Sequence, residues 1–305
     1  MIIRKRENWF RLLFVWHGSV LPKLLPRLAL LFIFALGVVY LHGSVFTFKI
    51  PLNPAPFTLF GIALALFLGF RNNASYERFW EGRKLWGALL NDTRSLARQA
   101  LTTTGYLAED QKLSSFVNLL IAFTYALKHQ LRGTDAKSDL ERRLSAELVA
   151  EVLPAKYKPI ILLKKMGHWV QEAKVQGKID SIIQVAFEDN FNKLSDIVGG
   201  CERIASTPIP YSYRVLLHRT VYLYCFLLPF GLVDSLGWLT PLIVVFIAYT
   251  FVAFEAIADE IEEPFGTEAN DLALNSMCHM IESTLLEMAE QPLPSYPEQI
   301  GYLVD

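Results

Sequence analysis

Residues 61–92 read GIALALFLGFRNNASYERFWEGRKLWGALLND, and this stretch changes from apolar to densely charged at Arg71. Residues 56–60 extend its apolar part to PFTLFGIALALFLGF, which ends at Phe70. A helix that crosses a hydrocarbon core of about 30 Å needs about 20 mostly apolar residues, and this run comes close to that length. The stretch therefore predicts a helix that lies in a membrane and meets water after Phe70.

Three further stretches have similar length and apolar character: Leu24 to Phe46, Val215 to Val233 and Leu236 to Ala258. The first two stretches are joined by a short loop that contains Pro51 and Pro54, and the last two are joined at Asp234 and Ser235. The pattern predicts two helical hairpins in a membrane. The alternative is that these are core helices of a soluble protein.

The composition agrees with a membrane protein and excludes other classes. Of 305 residues, 52% are hydrophobic and 19% are charged, and the mean hydropathy is +0.30. A net charge of -1 provides no bulk attraction for nucleic acid. Phosphate-binding glycine loops, GxSxG and HExxH are absent from the sequence, so we predict no enzyme activity. The spacing of Cys201, Cys225 and Cys278 suits neither zinc nor a disulfide framework and predicts buried thiols.

Basic residues predict the orientation of the spans. They precede the first span and follow the second, whereas the loop between these spans holds only Lys49. By the positive-inside rule, both termini and the middle segment are cytoplasmic. The N-terminus lacks a small-residue cleavage site, so we expect it to be retained. The basic residues are Arg4, Lys5, Arg6, Arg11, Lys23 and Arg27 on one side and Arg71, Arg78, Arg83, Lys84, Arg94 and Arg98 on the other.

The middle segment is more polar but keeps helical periodicity, and strand alternation is absent. Ser138 and Glu141 have the form of a capping box before a helix toward Leu153, and a further helix is predicted from Ile179 to Ile204. The fold class predicted is all-α. The predicted organisation is an amphipathic cytosolic segment (1–23), a first hairpin (24–70), a cytosolic helical domain (71–212), a second hairpin (213–258) and a cytosolic C-terminal segment (259–305).

One apolar pattern and one pair of polar residues within the spans need interpretation. Ile62, Leu66 and Phe70 stand at i, i+4 and i+8 and form an apolar rib on one helix face, which in a single chain is a packing stripe. His218 and Arg219, at the predicted cytoplasmic start of the third span, face a polar interior or reach lipid headgroups. The sequence leaves both alternatives open.

Several motifs resemble the bestrophin family, and the likeness covers most of the chain in the same order. The sequence is most similar to the prokaryotic branch of that family. The matching residues are Arg11-Leu12-Leu13 with Trp16 and Gly18-Ser19, Leu68 to Phe70, Arg78-Phe79-Trp80, Ser206 with Pro208 and Tyr211, and Pro264-Phe265-Gly266.

The resemblance implies a homopentameric ion channel in a bacterial inner membrane, whose partners are copies of itself, the lipid bilayer and monovalent ions. Carried over by position, Ile62, Leu66 and Phe70 line a narrow hydrophobic neck. A second constriction in the cytosolic portion corresponds to Ile179. Ile182 or Ile183 could be the constricting residue instead of Ile179. In a further alternative, all three isoleucines are core residues.

The resemblance also raises the possibility of a calcium site after the fourth span. Eukaryotic bestrophins hold calcium with carboxylates beyond the Pro-Phe-Gly motif, and the matching residues here are Glu268 and Asp271. The family has a dense run of acidic residues here, whereas this sequence has the uncharged residues Thr267, Ala269 and Asn270 within that run. We therefore prefer the alternative in which these acids form the first turn of a helix and interact with its dipole.

The identity of the conducted ion and the class of function are also open to alternatives. The prokaryotic branch is associated with cation passage, and acidic groups such as Asp180 or Glu188 favour cations, so we expect sodium conduction with chloride as the alternative. A non-conducting membrane scaffold is a rival class. A secondary transporter is another, but the two hairpins show neither inverted repeats nor broken spans.

Overall fold

The computed structural model describes residues 2, 8–45, 48–49, 52–107 and 109–295. The prediction of an all-α fold is confirmed. Its helices are α1 (Trp9–Leu12), α2 (Leu21–Tyr40), α3 (Pro54–Thr103), α4 (Gln111–Arg132), α5 (Lys137–Glu141), α6 (Ala146–Val152), α7 (Lys158–Val175), α8 (Ser181–Ser206), α9 (Tyr211–Leu236), α10 (Thr240–Glu262) and α11 (Leu274–Met288). Two antiparallel two-residue strands, Ser44–Val45 and Phe48–Lys49, precede α3, and a 3-10 turn, Gly237–Leu239, separates α9 from α10.

The described residues fall into two compact units. Among the described residues, the apolar unit comprises 8–79 and 208–263, and the polar unit comprises 2, 80–207 and 264–295. These divisions differ from the predicted domain boundaries, because α3 continues without a break past Phe70 and because α11 packs on α4 within the polar unit. Residues 1, 3–7 and 296–305 of the predicted terminal segments, with Arg4, Lys5 and Arg6, lie outside the described residues.

The apolar unit contains the helical stretches that are long and apolar enough to cross a membrane: Leu21–Tyr40, Tyr211–Glu262 and the first part of Pro54–Thr103. Within it α10 packs against both α2 and α9. The core of the unit consists mainly of leucine, valine and alanine side chains from four helices. Alanines let helices approach closely where water is absent and packing provides the attraction.

The loops of the two predicted hairpins meet at one end of the apolar unit. Lys49, in the loop before α3, pairs with Asp234, at the end of α9, with 2.7 Å between Nζ and Oδ1. Gly43 (φ 71°) and Gly237 (φ 51°) adopt left-handed backbone conformations in these two connections. Glycine fits such positions because it has no Cβ to clash with its own backbone.

The polar unit is built around α4, which is buried on nearly every side. It packs against α7, α8 and α11, and the Phe116 and Trp169 rings lie 4.4 Å apart at the centre of that contact. The Trp169 indole N–H donates to the Lys112 carbonyl at 2.9 Å. Asp110 caps the start of α4, and Gly133 ends it with a left-handed conformation.

The prediction of one helix between Ser138 and Leu153 is wrong, because the chain forms α5 and α6 with a turn between them. Ser145, rather than Ser138, accepts a hydrogen bond from a backbone N–H, that of Leu148. The helix predicted from Ile179 to Ile204 is present as α8, where the Asp180 carboxylate accepts from the Ile183 N–H at 2.8 Å.

Candidate functional site

The apolar rib predicted on α3 lies on an open face of the apolar unit. The Ile62, Leu66 and Phe70 side chains are 65%, 56% and 56% exposed. Leu64 and Leu68, on the opposite face of the helix, are buried in the core of the unit. The rib is therefore not a packing stripe within this protomer, and its large apolar side chains are available to a pore, a second copy or lipid.

Contacts on the buried face orient the rib. The Tyr213 hydroxyl donates to the Phe67 carbonyl at 3.0 Å, and the Asn72 amide donates to the carbonyls of Leu68 and Phe254 at 2.9 and 3.2 Å. These bonds tie α3 to α9 and to α10. They set the rotation of α3 at the level of the rib.

Arg71 follows the rib directly and is buried with no exposed side-chain surface. Its Nη2 lies 2.5 Å from the Asp259 carboxylate and 3.3 Å from that of Glu262. Glu262 is itself buried and also accepts from the Ile209 N–H at 3.2 Å, while its carbonyl accepts from Arg78 Nε at 3.0 Å. These charged groups, the Arg71 cluster, join the end of the rib to the end of α10 and the start of α9.

The Arg71 cluster was not predicted from the sequence, where Arg71 counted only as one of the charges that orient the spans. A signal was nevertheless present. Acids three residues apart near the end of the last apolar stretch, Asp259 and Glu262, matched an arginine directly after the second stretch. Acids at this spacing share one helix face.

Beyond Phe70, the exposed face of α3 changes from apolar to polar. Asn73 and Glu77 continue the rib at helical spacing, and both are exposed. This face therefore presents side-chain oxygen and nitrogen atoms directly after the rib.

The isoleucines considered for the cytosolic constriction differ in exposure. Ile179 is 6% exposed and lies in the interior of the polar unit, whereas Ile182 is 80% exposed and Ile183 is half-buried. A residue that lines a passage between copies must be exposed in its own protomer. Of the three, Ile182 meets this condition best.

The acidic residues named for calcium lie between α10 and α11. Glu268 and Asp271 stand in turns between Pro264 and Ala273, and the first turn of α11 contains no acid. The prediction that they form the first turn of a helix and interact with its dipole is wrong. The Asp271 carboxylate instead accepts from the Glu268 N–H at 2.8 Å.

The other acids of this run bind cations of the protein. Asp259 and Glu262 pair with Arg71, and Glu260 pairs with Lys23 at 3.0 Å. In the described part of the chain, no three His, Cys, Asp or Glu side chains are grouped so that they could hold a metal ion.

Acids named for ion selection are exposed, as are the polar groups at the start of α9. Asp180 and Glu188 are exposed on α8, and Asp180 also caps that helix. His218 Nδ1 lies 2.8 Å from the buried Glu255 carboxylate, and Arg219 is exposed.

Comparison with known proteins shows similarity over nearly the whole chain. Residues 1–287 match the family described as "Bacterial/Fungal Bestrophin protein". A voltage-dependent anion channel-forming protein of Ralstonia nicotianae is 51% identical over 292 residues, which cover 96% of this chain and 95% of the relative. The voltage-dependent anion channel-forming protein YneE of Escherichia coli K12 is 42% identical over 302 residues, which cover 98% of each chain.

Solved structures show the same fold. A mutant of a bacterial bestrophin homolog from Klebsiella pneumoniae is 43% identical, with a TM-score of 0.84 over 88% of this chain and all of that chain. A second structure of that homolog is 42% identical, with a TM-score of 0.82 over 88% of this chain and 99% of that chain. The sequence match and the shared fold show that this chain belongs to the bacterial and fungal bestrophin family.

Proposed function

We propose that this chain is the subunit of an ion channel whose pore is lined by the apolar rib of Ile62, Leu66 and Phe70. The observation that carries the proposal is the exposure of this rib on a helix whose other face is buried. Membership of the bestrophin family and the channel-forming names of the relatives support it. An enzyme is not supported, because the family consists of ion channels.

The subunits form a homopentamer in which five copies of α3 surround one axis. Rings of isoleucine, leucine and phenylalanine then make a narrow apolar neck. An ion loses part of its hydration in such a neck and gains no polar ligands, so a small change in width decides whether water and ions pass. Polar Asn73 and Glu77 then lie at the mouth of the neck.

Each subunit crosses the bacterial inner membrane four times, through α2, the first part of α3, α9 and α10, with both termini cytoplasmic. The Lys49 and Asp234 ion pair supports this topology, because it brings the loops of the two hairpins to one end of the apolar unit. The many basic residues that flank the other ends support a cytoplasmic location for those ends.

A second constriction in the polar unit is formed by Ile182 in place of Ile179. Exposure supports this choice, since Ile182 is 80% exposed and Ile179 is covered by its own protomer. Val185, which is also exposed on the first turns of α8, adds apolar surface beside it.

Monovalent anions such as chloride are the ions that pass. The names of the relatives support anions, and our expectation of sodium conduction loses its support. The neck itself carries no charge and does not choose a sign. Reversal potentials of the purified protein in a planar bilayer under a potassium chloride gradient test this point. Reversal near the chloride equilibrium potential is expected, and reversal near that of the cation contradicts anion selectivity.

Replacing the rib by small side chains tests the channel itself. The triple variant Ile62→Ala, Leu66→Ala and Phe70→Ala widens the neck and raises ion flux into liposomes several-fold. A matched control, Ile33→Ala, Leu242→Ala and Phe246→Ala, removes the same three side-chain types from exposed positions of α2 and α10 and leaves flux unchanged. Equal flux in the wild type and the rib variant favours a scaffold over a channel.

A further inference from the structure

Two adjoining cavities lie between α2, α9 and α10 in the apolar unit. The first, of about 570 Å³, is charged and is lined by Arg27, Arg214, His218, Arg219, Glu255 and Asp259. The second, of about 660 Å³, is apolar and is lined by side chains that include Leu31, Leu223, Phe226 and Ala248. Both contain Arg27 and Val252 in their walls, so the two cavities adjoin each other, and together they are called the amphipathic groove.

Positive charge is in excess at the charged end of the groove. Arg214 Nε pairs with Asp259 at 3.3 Å, and that carboxylate also binds Arg71. Arg27 donates only to the neutral Tyr222 hydroxyl, at 2.9 Å. Arg219 makes no side-chain hydrogen bond or ion pair with any residue that the structure describes. Two exposed guanidinium groups therefore lack a carboxylate partner within the described part of the chain.

The two ends of the groove lie at different depths along the helices. The charged end is formed by the first residues of α9 and the last residues of α10, where the apolar stretches end. The apolar end lies toward the middle of these helices. Arg219 and Phe226 are seven residues apart on α9, which corresponds to about 10 Å along the axis. This is the separation between a lipid phosphate and the upper part of its acyl chains.

We propose that the amphipathic groove binds one acidic phospholipid. The guanidinium groups of Arg27 and Arg219 hold its phosphate, since arginine matches phosphate oxygens with paired N–H donors. An acyl chain lies along Leu31, Leu223 and Phe226. A free phosphate does not use the apolar end, and a zwitterionic lipid carries no net charge to balance the two arginines.

Photolabelling of the purified full-length protein tests this site. The probe is phosphatidylglycerol with a diazirine on one acyl chain, and phosphatidylcholine with the same diazirine is the comparison. Phosphatidylglycerol is expected to label the peptides that contain Leu31, Leu223 and Phe226 about tenfold more than phosphatidylcholine does. The variant Arg27→Gln with Arg219→Gln lowers this labelling to the phosphatidylcholine level. Equal labelling by the two lipids overturns the proposal.

A charge-matched control separates the groove from general surface attraction. Arg11→Gln with Lys23→Gln removes two cations that lie before the first span and outside the groove walls, and it is expected to keep the labelling. Equal loss in both double variants, or no loss in Arg27→Gln with Arg219→Gln, overturns the site. If the double variant does not fold, Arg219→Gln alone is decisive, because this side chain supports no contact that the fold uses. Its labelling is expected to fall several-fold, and unchanged labelling overturns the site.

Discussion

At the residue scale, Arg71 is the most constrained charge of the apolar unit. Its guanidinium is fully buried, and its Nη2 is shared by Asp259 and Glu262. Two charges taken out of water lose hydration, which their mutual attraction only partly restores. Removing one partner is worse, because the remaining charge stays buried without compensation. The Arg71 cluster therefore tolerates substitution poorly although its net contribution to stability is small.

Arg71→Met is expected to lower the free energy of unfolding by about 3–5 kcal/mol, since it leaves the buried Glu262 carboxylate without its cation. Thermal unfolding in detergent, followed by tryptophan fluorescence, measures the effect. Lys49→Met is the control, because its pair with Asp234 is exposed and contributes about 0–1 kcal/mol. A loss in Arg71→Met no larger than that of the control contradicts this account of the cluster.

In the polar unit, Asp139 is a partly buried charge, and the pKa of its carboxyl is lowered strongly. Burial would raise the pKa of its carboxyl, but hydrogen bonds from His129 (2.8 Å) and Lys128 (2.9 Å) and the charge of Arg142 lower the pKa well below its ordinary value. A carboxylate with a lowered pKa in the folded state stabilises the fold above its unfolded pKa of about 3.9. That contribution disappears as the pH falls toward the folded pKa.

Asp139→Asn is expected to destabilise the protein by about 2 kcal/mol at pH 7, because charge-assisted hydrogen bonds become neutral ones. The difference from the wild type should shrink as the pH falls below about 4, since Asp139 of the unfolded wild-type chain then binds a proton that the folded state does not bind, and this lowers the stability of the wild type. Unfolding curves between pH 3 and 7 check the slope. Asp189→Asn, at an exposed position, is the control. A difference that grows in acid contradicts the sign.

At the element scale, α3 and α9 pack an aromatic ring of one helix against a glycine of the other at two places. A Cβ on Gly61 would lie 2.9 Å from the Tyr224 hydroxyl oxygen, and one on Gly231 would lie 2.7 Å from the Phe57 ring. No pattern in the sequence predicts these contacts. A glycine has no Cβ, so a large side chain of the neighbouring helix can lie directly against its backbone.

Gly231→Ala is expected to destabilise the apolar unit by about 1–3 kcal/mol, because the added methyl group overlaps the packed Phe57 ring. Gly37→Ala in α2 is the matched control, since a Cβ there meets no atom within 4 Å. It should be neutral or stabilise by about 1 kcal/mol, as alanine does in a helix. Melting temperatures in one detergent compare the two, and an equal response of both glycines contradicts the close approach.

Helix starts illustrate what could be predicted at this scale. Asp180 caps α8 within two residues of the predicted start, because its carboxylate needs only the N–H groups of the next turn. Ser138 failed as a cap although Glu141 follows it at the spacing of a capping box. The difference is tertiary, since the turn after α5 allows Arg143 to reach the buried Glu282 carboxylate with 2.6 Å between Nε and Oε1.

At the scale of the whole molecule, calcium is not expected to control conduction. Asp259, Glu260 and Glu262 in the last turns of α10 bind Arg71 or Lys23, and Asp271 accepts a backbone N–H in the turn that follows. Ion flux into liposomes is therefore predicted to remain the same when EGTA replaces micromolar calcium on both sides. The rib variant of α3, measured under the same two conditions, is the control for flux. A loss of flux in EGTA that returns with added calcium contradicts this prediction.

The sequence alone determined the fold class, the apolar stretches and the residues of the rib, because helix periodicity and hydrophobicity are local properties of a chain. The tertiary structure decided which side chains are covered. It buried Ile179 and exposed Ile182, it brought Arg71 to acids nearly two hundred residues away, and it placed Arg27 beside Arg219 in a groove. Burial and charge pairing depend on which distant elements pack together, and no local pattern encodes that.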